Sequence, residues 1–140
     1  AGLATITPAA GTVGPLGAVL IGAAASLVCY GAVHVVKRVM VVDDALDVLG
    51  VHGVGGALGT LLLPFLAGLG MGGADLNHPI GAQFLIQAEG VAAAAIWSAI
   101  ATFVIAKLTA MLVGLRVDRD QEVQGLDFSS HGETGYHTSR

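Results

Sequence analysis

Charge is what this sequence has least of. Six Lys or Arg and ten Asp or Glu among 140 residues make 11%, against roughly 25% in a typical soluble domain. A surface solvated on all sides is thereby excluded, and lipid is the solvent that fits. Aromatic residues are scarce at 5%, and a net charge of −4 comes with no basic stripe, so nucleic acid is not a partner. The single cysteine, Cys29, excludes an intrachain disulfide. Its place in an apolar run predicts a small buried residue. No G-x-S-x-G, P-loop or H-E-x-x-H occurs, and His34, His52 and His78 fall on different segments without metal-ligand spacing. No enzyme activity, metal site or cofactor is therefore expected. The opening "AGLATITPAAG" lacks the basic region and apolar core of a signal peptide. It reads as the interior of a longer sequence.

What is present is apolar length. Hydrophobic residues make up 54%, mean hydropathy is +0.78, and 21 glycines are scattered through the apolar segments. Three runs are long enough to cross a bilayer: about 13–36, ended by Lys37 and Arg38; about 48–73, containing Pro64, where a kink is expected; and about 84–115, whose uncharged centre runs from Gly90 to Ala106. "GADLNHPIGAQ" reads as the polar turn between the last two, with Asn77, Pro79 and Gly81 as breakers. The fold class expected is an all-α membrane protein, with a transmembrane region over 1–115 and a hydrophilic tail over 116–140. Lys37, Arg38, Lys107, Arg116 and Arg119 flank the same side of three spans, which predicts a multi-pass protein of the cell membrane with a cytoplasmic C-terminus. Composition alone reads the tail as a solvated, partly disordered extension; its length also suffices for a docking element.

The residue that stands out is His52, near the start of the second run in "DDALDVLGVHGVGGALG". An imidazole inside a membrane needs partners for one donor and one acceptor. Two readings stand side by side: a histidine hydrogen-bonded to a neighbouring helix, and a pore-lining or proton-handling group. The surrounding glycines follow from packing. Gly55 and Gly59 form one small-xxx-small pair, Gly68 and Gly72 another, and Gly53 and Gly56 fall nearby. Asp47 is expected at the helix start, where a carboxylate complements the helix dipole. Gln87 and Glu89 read as helix-entry residues or as an intramembrane carboxylate site.

"DDALDVLGVHGVGG" resembles the signature of the ammonium transporter family (Amt/Mep/Rh). "AGLATITPAAGTVGPLGA" resembles the segment before one of its late helices, and "VGLRVDRDQEVQGLDFSSHGETGY" its cytoplasmic tail, all in family order. The tail resembles bacterial or archaeal Amt more closely than the Rh branch. The resemblance implies a homotrimer of eleven-helix protomers, each with its own pore, in which these spans match the ninth, tenth and eleventh helices. His52 matches the second of two pore histidines that share a hydrogen bond, so that ammonium gives up a proton and neutral ammonia crosses. The first pore histidine, the aromatic gate and the external recruitment site fall outside this sequence. Gly53, Gly55, Gly56 and Gly59 would let helices close around the pore. Gly125, Leu126, Asp127, His131, Gly132, Glu133 and Tyr136 match the tail pattern, which implies contact with a neighbouring protomer and regulation by a PII signal-transduction protein. Ser129 occupies the position of a regulatory threonine in some plant members. Two alternatives of other classes remain at this stage: an ammonium sensor or regulatory membrane module on the same fold, and a small proton-translocating subunit using Glu89.

Overall fold

A computed structural model describes residues 1–68 and 76–135. Gly72 and Tyr136, both singled out above, lie outside the described residues. Every regular element among the described residues is helical, and three helices are long and apolar enough to cross a membrane: Pro15–Val39, Leu49–Ala67 and Ile80–Leu112. The chain is an all-α, multi-pass membrane protein. It divides into two compact units, Ala1–Ala95 and Ile96–Arg140.

The first unit opens with α1 (Gly2–Ile6) and a 3₁₀ turn (Thr7–Ala9). Threonines tie this short segment to itself: the Thr5 hydroxyl donates to the Ala1 carbonyl at 3.0 Å and that of Thr7 to the Leu3 carbonyl at 2.7 Å. Pro8 ends the α-helical pattern because it has no amide to donate. Helix α2 (Pro15–His34) then starts at a proline whose fixed φ suits a first helical position. Its buried residues, Gly17, Ile21, Ala25 and Cys29, recur every four residues and form one stripe. A π-helical turn, Val35–Val39, extends it. After a reversal, a second π turn (Leu49–Gly53) leads into α3 (Val54–Gly68).

α1, α2 and α3 pack against one another. Their core is small: Ala9, Ile21 and Leu63 are buried, with Ile6, Val13, Leu66 and Leu76 packed around them. Pro64 lies inside α3 with its ring fully buried. Its missing amide leaves the Thr60 carbonyl without a helical donor. Large apolar residues such as Leu16, Val19, Leu27 and Tyr30 face outward, as lipid-facing or partner-facing helix surfaces do.

Helix α4 (Ile80–Leu112) passes from the first unit into the second. It begins at Ile80 rather than 84, so Ile80–Gln83, expected in the polar turn, are helical. Pro79 immediately precedes it and its carbonyl accepts the Gln83 amide at 2.9 Å, which makes the proline an initiator instead of a breaker. Phe65 and Phe84 meet edge-tilted at 5.5 Å between ring centroids. α4 ends at Leu112 rather than 115, where Gly114 takes a left-handed φ of 78°.

In the second unit the described part of the tail folds into two short helices, α5 (Arg119–Gln124) and α6 (Leu126–His131). Arg116 Nε donates to Glu122 Oε1 at 3.0 Å.

Candidate functional site

His52 sits on the π turn Leu49–Gly53 that opens the second span. Such turns insert one residue into the helical repeat and recur where a side chain must be displaced from its ordinary register. His52 and Gly53 are exposed in this chain, Gly56 is half-buried, and Gly55 and Gly59 are buried. A Cβ at Gly59 would collide with the backbone carbonyl of Thr5, and one at Gly55 would stand 2.8 Å from Thr5 Oγ1 and 3.1 Å from Cys29 Sγ. The two glycines thus allow α3 to lie directly on α1 and α2. A Cβ at Gly53 would meet only Leu49 of its own turn, at 3.1 Å, and nothing of this chain lies within 4 Å of one at Gly56.

Gly50, which sequence reasoning passed over, has a similar role. A Cβ there would stand 2.6 Å from Val33 Cγ2 and 3.1 Å from the Val33 backbone. The turn that carries His52 therefore rests against the last part of α2.

The helix start is secured by Asp44. The Val48 amide donates to its Oδ1 and the Leu49 amide to its Oδ2, both at 2.8 Å, so both oxygens satisfy amides that a helix end leaves free. Asp47, expected to complement this helix start, stands next to it with its carbonyl accepting the Val51 amide at 2.8 Å. Its carboxylate turns instead to Lys37, with Nζ 2.6 Å from Oδ1. Asp47 has a left-handed φ of 57°, whereas a capping residue takes an extended backbone. The signal for an aspartate at this helix start was present in "DDALD", since a carboxylate there complements the helix dipole. Which of three aspartates would cap depended on the turn geometry.

Near the Lys37 end of α2, Tyr30, Val33, His34, Lys37 and Arg38 line an open hollow of about 150 Å³. No residue predicted for the site lines it. His34, His52 and His78 are not assembled into a ligand set: among the described residues no group of three His, Cys, Asp or Glu could hold a metal ion.

In the tail, Gly125 (φ 87°) separates α5 from α6, Leu126 and Asp127 begin α6, and His131 ends it. Gly132 follows in the left-handed conformation at φ 65°, and the Glu133 amide returns to the Asp127 carbonyl at 2.9 Å. This closure satisfies carbonyls at the end of α6. The predicted tail residues through Glu133 therefore share one helix and its two glycine boundaries.

A family model described as Ammonium Transporter Family matches residues 1–136. An ammonium transporter of Aquifex aeolicus (strain VF5) is 47% identical over 97% of this chain and 32% of its own length. A putative ammonium transporter of Methanothermobacter thermautotrophicus is 39% identical over 97% of this chain and 34% of its own length. Ammonium transporter Amt1 of Archaeoglobus fulgidus is 39% identical over 97% and 35%. The chain spans about a third of the length of these curated relatives.

Proposed function

The chain belongs to the ammonium transporter family, and we propose that it forms part of a transporter that conducts ammonium across the membrane, with His52 lining the pore. The observation that carries this reading is the match over residues 1–136 together with the place of His52, on a π turn at the start of a membrane-spanning helix. His52 pairs with a second histidine supplied by another part of the transporter. Ammonium gives its proton to this pair and ammonia crosses the apolar lumen, because desolvation penalises the cation far more than the neutral molecule. The two imidazoles relay the proton through their shared hydrogen bond. Gly55 and Gly59 support the pore by letting α3 approach α1 and α2, while Gly53 and Gly56 offer small surfaces to other helices.

The assembly is a homotrimer with a cytoplasmic C-terminus. Lys37, Arg38, Arg116 and Arg119 support that orientation, since basic residues concentrate on the cytoplasmic side. Residues 125–133, with Tyr136 beyond them, contact a neighbouring protomer and couple its pore to regulation by a PII signal-transduction protein.

The test is the ammonium-evoked current in proteoliposomes holding a full-length transporter that carries these residues, with and without His52→Leu. Loss of the current, or of its preference for ammonium over potassium, is expected. An unchanged current and preference would return His52 to a packing role.

A further inference from the structure

We infer that Lys37 and Asp47 are positioning residues for His52: their ion pair sets the register of the His52 turn against the first span, and with it the preference for ammonium over alkali cations. The proposal rests on the pore reading of His52.

Two π turns flank the reversal. One, Val35–Val39, carries Lys37, and the other, Leu49–Gly53, carries His52. Between them the backbone takes left-handed conformations at two non-glycine residues, Val41 (φ 54°) and Asp47 (φ 57°). For a β-branched valine this is a genuine outlier. Such residues persist only where surrounding contacts over-determine the conformation. Within the reversal the Asp44 amide donates to the Val42 carbonyl at 3.0 Å and the Asp47 amide to the Asp44 carbonyl at 3.2 Å. The Val42 amide donates to the Val36 carbonyl at 3.0 Å, which anchors the reversal to the first π turn. The Asp47 carbonyl accepts the Val51 amide at 2.8 Å, which anchors its far end in the second. Asp44 satisfies Val48 and Leu49 within its own helix start and does not reach α2. Lys37–Asp47, at 2.6 Å, is a side-chain ion pair that ties the first turn to the residue two before the second.

An ordinary surface pair of this exposure, 38% for Lys37 and 36% for Asp47, would contribute little. Asp47 differs at the level of the atom. Its Oδ1, the oxygen facing Lys37, is shielded from water and has no hydrogen-bond partner among the described residues, so the ammonium, approaching off the hydrogen-bond line, is what compensates it. Removing Lys37 leaves a desolvated carboxylate oxygen unpaired, and the cheapest relief is for Asp47 to rotate toward water. With the pair gone, the side-chain contact that helps hold Asp47 at its left-handed φ of 57° is lost, and relaxation of that backbone moves the carbonyl that holds the Val51 amide and with it the turn bearing His52. The Val33 contact behind Gly50 limits how far the turn can travel, so the expected result is a displaced imidazole in a folded protein.

The experiment uses a full-length transporter carrying these residues, reconstituted in liposomes, as wild type, K37M, D47N, K37M/D47N and K37R. Solid-state NMR of ¹⁵N-histidine, with the His52 signals assigned by their loss in H52L, reads imidazole placement. The ratio of ammonium to potassium current reads selectivity. K37M and D47N should each move the His52 signals and lower the ratio by about tenfold. The double variant should match either single one, because one interaction is removed in all three, and K37R should retain wild-type values. Unmoved His52 signals in K37M, or a double variant whose loss is the product of the single losses, would overturn the proposal. If D47N does not fold, K37M against K37R decides alone. Moved signals beside an H52L variant with unchanged current would leave the positioning intact and sink the pore reading.

Discussion

Gly59→Ala isolates the close approach on which the packing of α1, α2 and α3 depends. The added methyl would run into the backbone carbonyl of Thr5. A backbone carbonyl in the last turn of α1 cannot swing aside as a side chain can, so one helix must shift. Overpacking of this kind costs about 1 to 3 kcal/mol. Against it stands the helix-propensity gain of alanine over glycine, about 1 kcal/mol. The balance is a destabilisation of up to about 2 kcal/mol. Gly56→Ala meets nothing of this chain within 4 Å, so it leaves the packing of α3 on α1 and α2 undisturbed. Gly55→Ala falls between, because its neighbours at 2.8 and 3.1 Å are the ends of two side chains, Thr5 Oγ1 and Cys29 Sγ. The sole cysteine provides the assay, being 1% exposed at this junction. The rate at which a fluorogenic maleimide labels Cys29 in detergent micelles reports opening of the three helices. The expected order of labelling is Gly59→Ala fastest, then Gly55→Ala, with Gly56→Ala no faster than wild type. Thr5→Ala should rescue Gly55→Ala, whose clash is with a side chain, and leave Gly59→Ala unrescued. Equal labelling in Gly59→Ala and Gly56→Ala, or rescue of both variants by Thr5→Ala, would refute the backbone-contact argument.

Two further outcomes follow from the helix ends. Asp44→Ala removes both side-chain acceptors of the Val48 and Leu49 amides and should cost about 0.5 to 2 kcal/mol; hydrogen exchange at those two amides should accelerate while that of the Val51 amide, held by the Asp47 carbonyl, changes less. Gly132→Ala forces a β-carbon into φ of 65°, a strain of about 1 to 2 kcal/mol, and should fray α6 from its C-terminal end, seen as loss of the Glu133 amide's protection with that of the Gln121 amide in α5 retained.

Sequence reading found the three spans because apolar length is a property of composition, and no tertiary contact was needed to see it. The helix boundaries were harder. Pro79 was read as a breaker, yet proline is equally suited to stand before a first turn, and only the chain direction of the following residues decides between the two. His52 stood out through rarity: an ionisable side chain in an apolar run has few bland explanations. The glycines were legible as a group, but the distinction between Gly55 and Gly59, buried against Thr5, and Gly53 and Gly56, which meet no neighbouring helix here, requires knowing which face of α3 meets α1. Asp44 and Gly50 were not picked out, and Lys37 only as a flanking charge, because their roles arise from a reversal with left-handed residues at Val41 and Asp47. Neither a valine nor an aspartate in sequence announces such a backbone.

The length of α4 bears on how Glu89 should be read. Its 33 residues would extend ~50 Å at 1.5 Å per residue, well beyond a hydrocarbon core of about 30 Å. Tilt or overhang must absorb the difference. The charged residues indicate where. Glu89 and Lys107 bracket an uncharged stretch from Gly90 to Ala106, ~26 Å along the axis, and the Lys107 ammonium lies 5.6 Å from the centre of the Phe103 ring. A lysine near a helix end keeps its ammonium at the interface while its stem lies along apolar surface. If Lys107 marks one interface, Glu89 lies close to the other, and Ile80–Ala88 forms the overhang. A carboxylate serving proton translocation is expected nearer the bilayer centre. Glu89 thus stands at the end of the uncharged stretch, which is where the helix-entry reading of the sequence puts it.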